Sequence, residues 1–258
     1  MNYEPREFWD QRLSEQFDLR GTGQPGLSVA YNRACYTLRR EVLDRALAVE
    51  RFEPARRKVL DVGCGTGFFT AYYLARGAEL TGIDIAPTSV ERLRKRHPQA
   101  RFLLADLSQT TLAERFDLVN AFDVLYHITD EASWRRAVTA LTSAVEPGGL
   151  LLLTDTFPAA ERATPEAEHN RMRPLESYRT LLEPAGFEVR AVLPTHVLLN
   201  RDLGPWRFLN RLPALLLTLD RLLLGLGMGR SDPAVSKLLV ARRVMEEDLD
   251  GTKLRLRD

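Results

Sequence analysis

The chain has 258 residues, of which 45% are hydrophobic and 28% charged, and its formal net charge is +1. These are values of an ordinary globular protein, and the charge balance predicts neither a nucleic-acid nor an anionic-surface partner. The two cysteines, Cys35 and Cys64, lie in unrelated contexts and predict no disulfide framework or zinc site. The N-terminus is charged from its start, unlike a signal peptide, so we expect a cytoplasmic protein.

Strand and helix patterns alternate along the chain from about residue 56. Short apolar runs that end in turn residues predict strands, and apolar residues at helical spacing predict helices. The predicted strands are KVLDVG (58–63), AELTGIDI (78–85), ARFLLADL (100–107), FDLVNAF (116–122), LLLLTD (150–155), GFEVRAVL (186–193) and SKLLVARR (236–243).

Helices are predicted between these strands. One begins after Asp130, with Trp134, Val138, Leu141 and Val145 at helical spacing. Repeated strand–helix units, together with all-apolar strands, are typical of parallel sheets that helices cover on both faces. We therefore predict an α/β fold, with a Rossmann-like, doubly wound, seven-stranded and mostly parallel sheet.

Three segments fall outside this alternation. Residues 1–55 precede the first strand and are predicted to form a helical cap, followed by a main domain over 56–258. Two insertions, 156–174 and 195–236, follow the fifth and sixth strands at the sheet edge where ligands bind. We expect the cap and the insertions to form a lid over a ligand pocket.

A glycine-rich loop follows the first strand. In VLDVGCGTGFFT (59–70), Gly63, Gly65 and Gly67 allow a sharp turn and let a ligand approach the backbone. The dinucleotide fingerprint needs a small residue where this chain has Phe68, and the lysine of a phosphate loop is missing. The loop therefore predicts a ligand other than a dinucleotide or a nucleoside triphosphate.

Three carboxylates lie at successive strand ends. Asp61, beside the loop, would repel a diphosphate and would suit a positively charged ligand. Asp84 is placed to accept hydrogen bonds from ribose hydroxyls, and Asp106 to accept one from an adenine amino group. The predicted ligand has an adenine, a free ribose, no phosphate and a positive end, which describes S-adenosylmethionine.

The same stretches resemble, in order, the motifs of class I S-adenosylmethionine-dependent methyltransferases of the small-molecule type. The resemblance covers roughly residues 58–186 and is carried by VLDVGCGTGFFT, GIDIAPTSVERLRKR, RFLLADL, FDLVNAFDVLYHITD and EPGGLLLLTDTF. It implies a set of donor contacts, which is Asp61, Gly63, Gly65, Gly67, Asp84, Ile85, Asp106, Leu107 and Phe122. In that set Asp61 and Gly63 border the methionine part, and Asp84 holds the ribose.

A histidine is the candidate for acid–base chemistry. Methyl transfer to a hydroxyl requires loss of the hydroxyl proton, and His127 follows the fourth strand at the ligand edge. The alternative is that His127 caps or packs the following turn. His169 and His196 lie in the insertions, where each either faces the pocket or is a loop residue.

Four other side chains are predicted acceptor contacts in addition to His196. Arg171 and Arg173 would clamp an acidic group on the acceptor, or else form a solvated basic loop. Tyr31 would close the cap over the ligand, or else belong to the core of the cap. Tyr126 completes this set.

No metal ion is expected. Asp123 and Asp155 end the fourth and fifth strands, where metal-dependent catechol-type methyltransferases have carboxylates followed by an Asp-Asn pair. Here Thr156 follows Asp155, and no asparagine is adjacent to it. A magnesium or calcium site needs several oxygen ligands, which this pattern does not supply.

The stretch LPALLLTLDRLLLGLGMG (212–229) is unusually rich in leucine. It is too short to span a bilayer, and Asp220 and Arg221 interrupt it. We predict a lid helix over the acceptor site, with an inward stripe of Leu212, Leu215, Leu216 and Leu219. The alternatives are core packing, a dimer interface and contact with a membrane surface.

The sequence thus predicts a methyltransferase that acts on a small, partly apolar molecule at a hydroxyl oxygen. A monomer or a homodimer is expected, with no nucleic-acid partner and no transmembrane segment. Two alternatives remain open. The same fold would use bound S-adenosylmethionine for a cyclisation or decarboxylation, or the chain would be a non-enzymatic, ligand-sensing interaction protein that docks through the leucine helix.

Overall fold

The computed structural model describes residues 3–160, 162–163 and 169–245. Residues 1–2, 161, 164–168 and 246–258 belong to the predicted cap, the first insertion and the end of the main domain, and they lie outside the described residues.

The structure has nine strands within the described residues, and seven of them form the central sheet. The strands are β1 (Lys58–Val62), β2 (Glu79–Asp84), β3 (Arg101–Leu104), β4 (Phe116–Ala121), β5 (Val145–Asp155), β6 (Arg162–Ala163), β7 (Arg171–Met172), β8 (Phe187–Pro194) and β9 (Lys237–Arg243). The α-helices are α1 (Pro5–Glu15), α2 (Val29–Val49), α3 (Phe68–Leu74), α4 (Pro87–Arg96), α5 (Glu131–Ser143), α6 (Leu175–Leu182) and α7 (Pro213–Gly225). Short 3₁₀ segments span Leu125–His127 and Gly204–Arg211.

The central sheet has the strand order β3-β2-β1-β4-β5-β9-β8, and β6 pairs with β7 in a separate hairpin. Strands β1 to β5 pair in parallel, whereas β9 runs antiparallel to both β5 and β8. The predicted fold class, a mostly parallel seven-stranded sheet, is confirmed. One boundary differs, because Val145 pairs with Phe116 at the start of β5 rather than ending the preceding helix.

Two apolar clusters cover the two faces of the sheet. Leu60 and Val62 of β1 face the cluster that contains α5 and α6, whereas Val59 faces the cluster that contains α2, α3 and α4. The apolar run in β5 divides in the same way, with Leu150 and Leu152 on one face and Leu151 and Leu153 on the other. A strand that is buried on both faces needs apolar residues at every position, which explains this all-leucine run.

The second N-terminal helix is part of the covering layer of the sheet. Val42, Leu43 and Leu47 of α2 are buried in the same cluster as Val59. The division of the chain at residue 55 into a cap and a main domain stays a prediction.

The rotation of helix α7 differs from the prediction. Leu216 is fully buried against α2, as predicted, but Leu212 and Leu215 are 49% and 45% exposed, so the predicted inward stripe is wrong at these two residues. The cause is Asp220, one turn after Leu216. Its buried carboxylate accepts hydrogen bonds from the backbone N–H groups of Val197, Leu198 and Leu199, at 2.8, 2.6 and 2.9 Å. Residues four apart share a helix face, so Asp220 turns Leu216 inward. Leu215 lies about 100° around the helix from Leu216, and Leu212 precedes the first helical residue, Pro213, so both remain outside.

Within the described part of the chain, no helix combines the length and the apolar character that crossing a bilayer requires.

Candidate functional site

A cleft lies at the carboxyl ends of β1 to β4, between the glycine loop and α1. Eight of the nine predicted donor contacts line it, namely Asp61, Gly63, Gly65, Asp84, Ile85, Asp106, Leu107 and Phe122. The ninth, Gly67, lies outside the lining and precedes α3 with a left-handed φ of 83°. The structure therefore brings most of the predicted donor residues to one place.

The glycine loop is shaped by residues with positive φ. Gly63 and Gly65 have φ angles of 68° and 51°, in the left-handed region that favours glycine. A Cβ on Gly65 would lie 2.6 Å from Cγ2 of Thr22, and a Cβ on Gly63 would collide with the Val124 side chain. The loop thus packs directly against the N-terminal segment and against the residues after β4.

Asp61 is held in one orientation beneath the loop. Its carboxylate accepts hydrogen bonds from Thr70 Oγ1 at 2.7 Å and from Asn120 Nδ2 at 2.8 Å. The side chain is buried, and burial raises the pKa of its carboxyl group to about 6. Asp61 is therefore mostly ionised at neutral pH and becomes protonated in mild acid.

Asp84 and Asp106 occupy the ends of the next two strands. The Asp84 carboxylate accepts hydrogen bonds from the backbone N–H groups of Gly65 at 2.7 Å and Ala86 at 2.9 Å, one on each oxygen. Each oxygen keeps a second lone pair, because a carboxylate offers about four acceptor positions. Burial raises the pKa of Asp84. Asp106 closes the turn after β3 by accepting from the Ser108 N–H at 2.8 Å.

The charge of the cleft is one-sided. Asp61, Asp84, Asp106 and Asp123 line it, and among the described residues no lysine or arginine does. Asp123 is paired with Arg39 behind the lining, so the uncompensated negative charge comes from the other three aspartates. Such a lining would repel phosphate and attract a cation. It fits an adenosine ligand with a sulfonium and an ammonium group, so the residues present are compatible with S-adenosylmethionine.

Helix α1 covers the cleft. The sequence predicted a helical cap here but did not indicate which of its residues reach the cleft. Trp9 and Leu13 line the cleft. Asp10 accepts a hydrogen bond from the Thr88 N–H at 2.7 Å, which ties α1 to the start of α4. The segment EPREFW gives only a weak signal of this role, because its two aromatic residues show no helical or strand periodicity that would indicate a buried face.

His127 lies in the 3₁₀ segment after β4 and lines the cleft. Its Nδ1 is 3.0 Å from the carbonyl oxygen of His169. A carbonyl only accepts, so Nδ1–H donates and Nε2 of the neutral ring is left as an acceptor. Burial is the main reason that the pKa of His127 falls to about 4, so the ring is neutral at pH 7. The rings of Trp9 and Tyr126 pack against it, with centroid distances of 4.8 and 4.4 Å.

A buried ion pair lies at the far end of the cleft. Arg39 Nη1 is 2.8 Å from Asp123 Oδ2, and the two side chains are only 8% and 16% exposed. The other Asp123 oxygen accepts a hydrogen bond from Thr154 Oγ1 at 3.0 Å. The charge of Asp123 raises the pKa of the Tyr126 hydroxyl, in addition to the larger effect of burial.

Two of the predicted acceptor contacts, the arginines, lie away from the lining. Arg173 is 1% exposed, and its guanidinium donates to Glu131 Oε2 at 3.1 Å and to the Ile128 carbonyl at 3.0 Å. It also lies over the ring of Trp134, 4.5 Å from its centroid. Arg171 donates to the carbonyl of Thr129 at 2.7 Å. These contacts join the first insertion to the region around α5.

The remaining predicted acceptor contacts are also outside the lining. Tyr31 is buried, and its hydroxyl accepts a hydrogen bond from the Asn200 N–H at 2.8 Å. His196 is buried beside Thr195, and its Nε2 has no hydrogen-bond partner. Tyr126 packs on His127 without lining the cleft. A role of these residues in acceptor binding stays a prediction.

Asp155 takes part in a local network. Its carboxylate accepts hydrogen bonds from the Tyr178 hydroxyl at 2.7 Å and from the Thr156 N–H at 2.6 Å. Across the described ranges, no group of three or more His, Cys, Asp or Glu side chains is arranged to hold a metal ion.

Part of the chain is similar in sequence to known proteins. The model of a family described as a methyltransferase domain matches residues 31–192, which is more than half of the chain. The ubiquinone biosynthesis O-methyltransferase of Stutzerimonas stutzeri is 38% identical over 106 residues, which are 39% of this chain and 44% of that protein. The chain thus spans less than half the length of this relative.

Solved structures share the fold over most of the chain. An N-methyltransferase from Bradyrhizobium japonicum, in complex with S-adenosyl-L-homocysteine, has a TM-score of 0.58 at 18% identity, with 92% of this chain and 98% of that chain covered. Magnesium protoporphyrin IX methyltransferase from Synechocystis, with bound S-adenosylmethionine, has a TM-score of 0.60 at 19% identity, with 92% and 94% covered. At these identities the likeness shows a common fold.

Proposed function

The chain belongs to the class I S-adenosylmethionine-dependent methyltransferases, and from that premise we propose that it transfers a methyl group to a hydroxyl oxygen of a small, partly apolar molecule. The observation that carries this proposal is the cleft, which combines the glycine loop with four aspartates and, among the described residues, no lysine or arginine. Transfer to oxygen has support from the name of the O-methyltransferase relative.

S-adenosylmethionine supplies, when bound, a methyl group that its sulfonium charge activates for transfer. We propose that Asp84 accepts hydrogen bonds from the ribose hydroxyls with the lone pairs that Gly65 and Ala86 leave free. Asp61, fixed by Thr70 and Asn120, faces the positive end of the ligand with a mostly ionised carboxylate. Asp106 and Leu107 lie on the adenine side.

The acceptor hydroxyl is proposed to donate its hydrogen bond to Nε2 of His127. The hydrogen bond from Nδ1–H to the His169 carbonyl fixes this tautomer, and burial keeps the ring neutral. A pKa of about 4 makes His127 a weak base. A weak base suffices, since an alcohol oxygen that is forming a third bond holds its proton far less tightly than imidazolium does. Positioning then contributes most of the catalysis, as expected for an activated donor.

A partly apolar acceptor is supported by the walls around His127. Trp9, Leu13, Val124 and Ile128 line this part of the cleft. They exclude water and leave the His127 ring and Asp123 as the polar groups near the acceptor.

The remaining properties of the enzyme follow the sequence predictions. We propose a cytoplasmic monomer or homodimer. The cap and the two insertions are proposed to close over the acceptor.

The proposed donor site is tested by calorimetry with S-adenosylhomocysteine. Asp84→Asn removes hydrogen bonds to a charged acceptor, each worth about 1.5–3 kcal/mol, so affinity should fall by at least about tenfold. Glu146→Gln, an exposed carboxylate outside the cleft, is the matched control and should bind normally. Equal affinities in a folded Asp84→Asn variant would remove the ribose assignment.

The proposed transfer is tested with methyl-labelled donor and a panel of small phenols and alcohols. The label should appear on an oxygen of the product. His127→Ala should lower turnover by about 10²–10⁴-fold while calorimetric affinity for S-adenosylhomocysteine is retained. Label on nitrogen or carbon would refute transfer to oxygen, and normal turnover in His127→Ala would show that this histidine only packs the turn.

A further inference from the structure

Four large apolar side chains are exposed within residues 206–215, in the middle of the second insertion. Trp206 and Phe208 lie in the 3₁₀ segment Gly204–Arg211, and their ring centroids are 5.9 Å apart. Leu212 and Leu215 follow at the start of α7. We call these four residues the insertion surface; they are 63%, 53%, 49% and 45% exposed.

The fold holds the insertion surface outward. Leu216 fills the space between α7 and α2 and is fully buried. Asp220 fixes the rotation of α7 through its three backbone hydrogen bonds. Turning Leu212 and Leu215 inward would break these contacts, so their exposure is built into the packing of the insertion.

Positive charge is interleaved with the insertion surface. Arg207 and Arg211 alternate with the aromatic and leucine residues, and both are exposed. From residue 203 to 219 the sequence contains no Asp or Glu. Within the described residues, neither arginine forms an ion pair or a side-chain hydrogen bond. This patch is therefore apolar and cationic, although the whole chain is nearly neutral.

The second insertion, which carries this surface, packs on a helix that also borders the cleft. Leu216 packs with Tyr31 and Leu38 near the start of α2, and the Asn200 N–H donates to Tyr31. Tyr36, which lies between Tyr31 and Leu38 on α2, lines the cleft. The second insertion and the cleft are therefore connected through the first half of α2.

We propose that the insertion surface docks the protein on an anionic phospholipid bilayer. Trp and Phe side chains insert at the boundary between lipid headgroups and acyl chains, and arginine binds lipid phosphates. A two-fold dimer through the same patch would bring Arg207 and Arg211 of two copies together, with no carboxylate from residues 203–219 to neutralise them. The charge pattern thus favours a lipid surface over a second copy of the chain.

Co-sedimentation with vesicles tests the proposal without depending on methyl transfer. The wild-type chain should bind vesicles of phosphatidylcholine and phosphatidylglycerol in equal parts, and should bind pure phosphatidylcholine vesicles far more weakly. Each arginine near an anionic surface contributes about a fivefold change in partitioning, so Arg207→Ala/Arg211→Ala should weaken binding about 25-fold. Trp206→Ala/Phe208→Ala should weaken it by at least about tenfold.

Matched controls separate this surface from general effects. Val49→Ala removes apolar surface at a residue that is 78% exposed at the end of α2, and it should not change binding. Arg40→Ala/Arg115→Ala removes two exposed positive charges elsewhere and should change binding little. Vesicles should shift the fluorescence of Trp206 to shorter wavelength, and Trp206→Phe should lose this signal while it keeps binding.

Three outcomes would overturn the proposal. The first is equal sedimentation with anionic and neutral vesicles, or with neither. The second is full binding by a folded Trp206→Ala/Phe208→Ala variant. The third is a wild-type dimer in light scattering that this variant splits into monomers, because the patch would then be an interface between copies of the chain.

Discussion

The ion pair of Arg39 and Asp123 provides a quantitative test of whether this end of the cleft is buried. We consider Arg39→Met, Asp123→Asn and the double variant, because these changes remove charge and largely keep volume. Asp123 has a φ of 58°, a conformation that asparagine also tolerates, so Asp123→Asn adds little backbone strain. The three variants form a double-mutant cycle that isolates the interaction between the two charges.

The two single changes should differ in cost. When Arg39 is replaced, Asp123 still accepts the hydrogen bond from the Thr154 hydroxyl and still borders the cleft, which compensates part of its charge. Arg39→Met should therefore cost about 2 kcal/mol in unfolding free energy. When Asp123 is replaced, the Arg39 guanidinium is left as an unpaired buried charge, because its side chain is only 8% exposed and its Nε already lacks a hydrogen-bond partner. Asp123→Asn should therefore cost about 3–4 kcal/mol.

The double variant leaves no unpaired charge and should cost only about 2–3 kcal/mol, less than the sum of the single changes. The coupling energy is then about 3 kcal/mol. The measurement is urea unfolding of all four proteins, with melting temperatures as a check. For a chain of this size, 1 kcal/mol corresponds to about 2–4 °C, so Asp123→Asn should lower the melting temperature by about 10 °C.

An exposed pair gives the control cycle. Arg221 and Glu41 approach to 2.6 Å, but their side chains are 46% and 23% exposed. Arg221→Met and Glu41→Gln should therefore couple by only about 0–1 kcal/mol. If the Arg39–Asp123 cycle gave a coupling equally small, the pair would be solvated rather than buried, and the reasoning about this end of the cleft would be wrong.

Three other predictions follow from single side chains. Affinity for S-adenosylhomocysteine, whose ammonium group is cationic, should rise as Asp61 ionises between about pH 5 and about pH 7 and should then level off, because only the ionised carboxylate attracts a cation. Calorimetry across this pH range should show no pH dependence of the affinity in Asp61→Asn. A pH dependence that persisted in this variant would mean that another group titrates. Asp220→Ala leaves two buried N–H groups and one partly buried N–H group without an acceptor and should cost about 3–5 kcal/mol in urea unfolding, whereas an unchanged stability would mean that water replaces the carboxylate. Leu216→Ala should cost about 2–5 kcal/mol as a fully buried leucine, and a loss below about 1 kcal/mol would mean that α7 is loosely packed.

The sheet, and the meeting of most candidate donor residues in one cleft, could be predicted because their signals are local. Short apolar runs and the turn residues that end them define each strand, and in a parallel sheet the strand ends meet at one edge. Asp61, Asp84 and Asp106 each lie at or just beyond such an end, so their spatial proximity follows from topology alone.

The features that the sequence did not reveal depend on distant partners. The rotation of α7 is set by the hydrogen bonds from residues 197–199 to Asp220, more than twenty positions away. A leucine-rich helix has apolar residues on nearly every face, so its hydrophobic pattern cannot choose which face is buried. The pairing of Arg39 with Asp123 joins a helix before the sheet to a turn after β4, and no periodicity records such a contact.

Helix α2 connects the cleft to the insertion surface and limits how one can affect the other. Its Tyr36 lines the cleft, its Arg39 pairs with Asp123, and its Leu38 packs with Leu216 of α7. Buried residues further along α2, among them Leu43, anchor the helix to the sheet. Because one face of α2 is fixed to the core, we expect α2 to stay in place when α7, which packs on its other face, contacts a lipid surface. Because the proposed donor carboxylates Asp61, Asp84 and Asp106 belong to the sheet edge rather than to α2, docking should leave donor affinity unchanged.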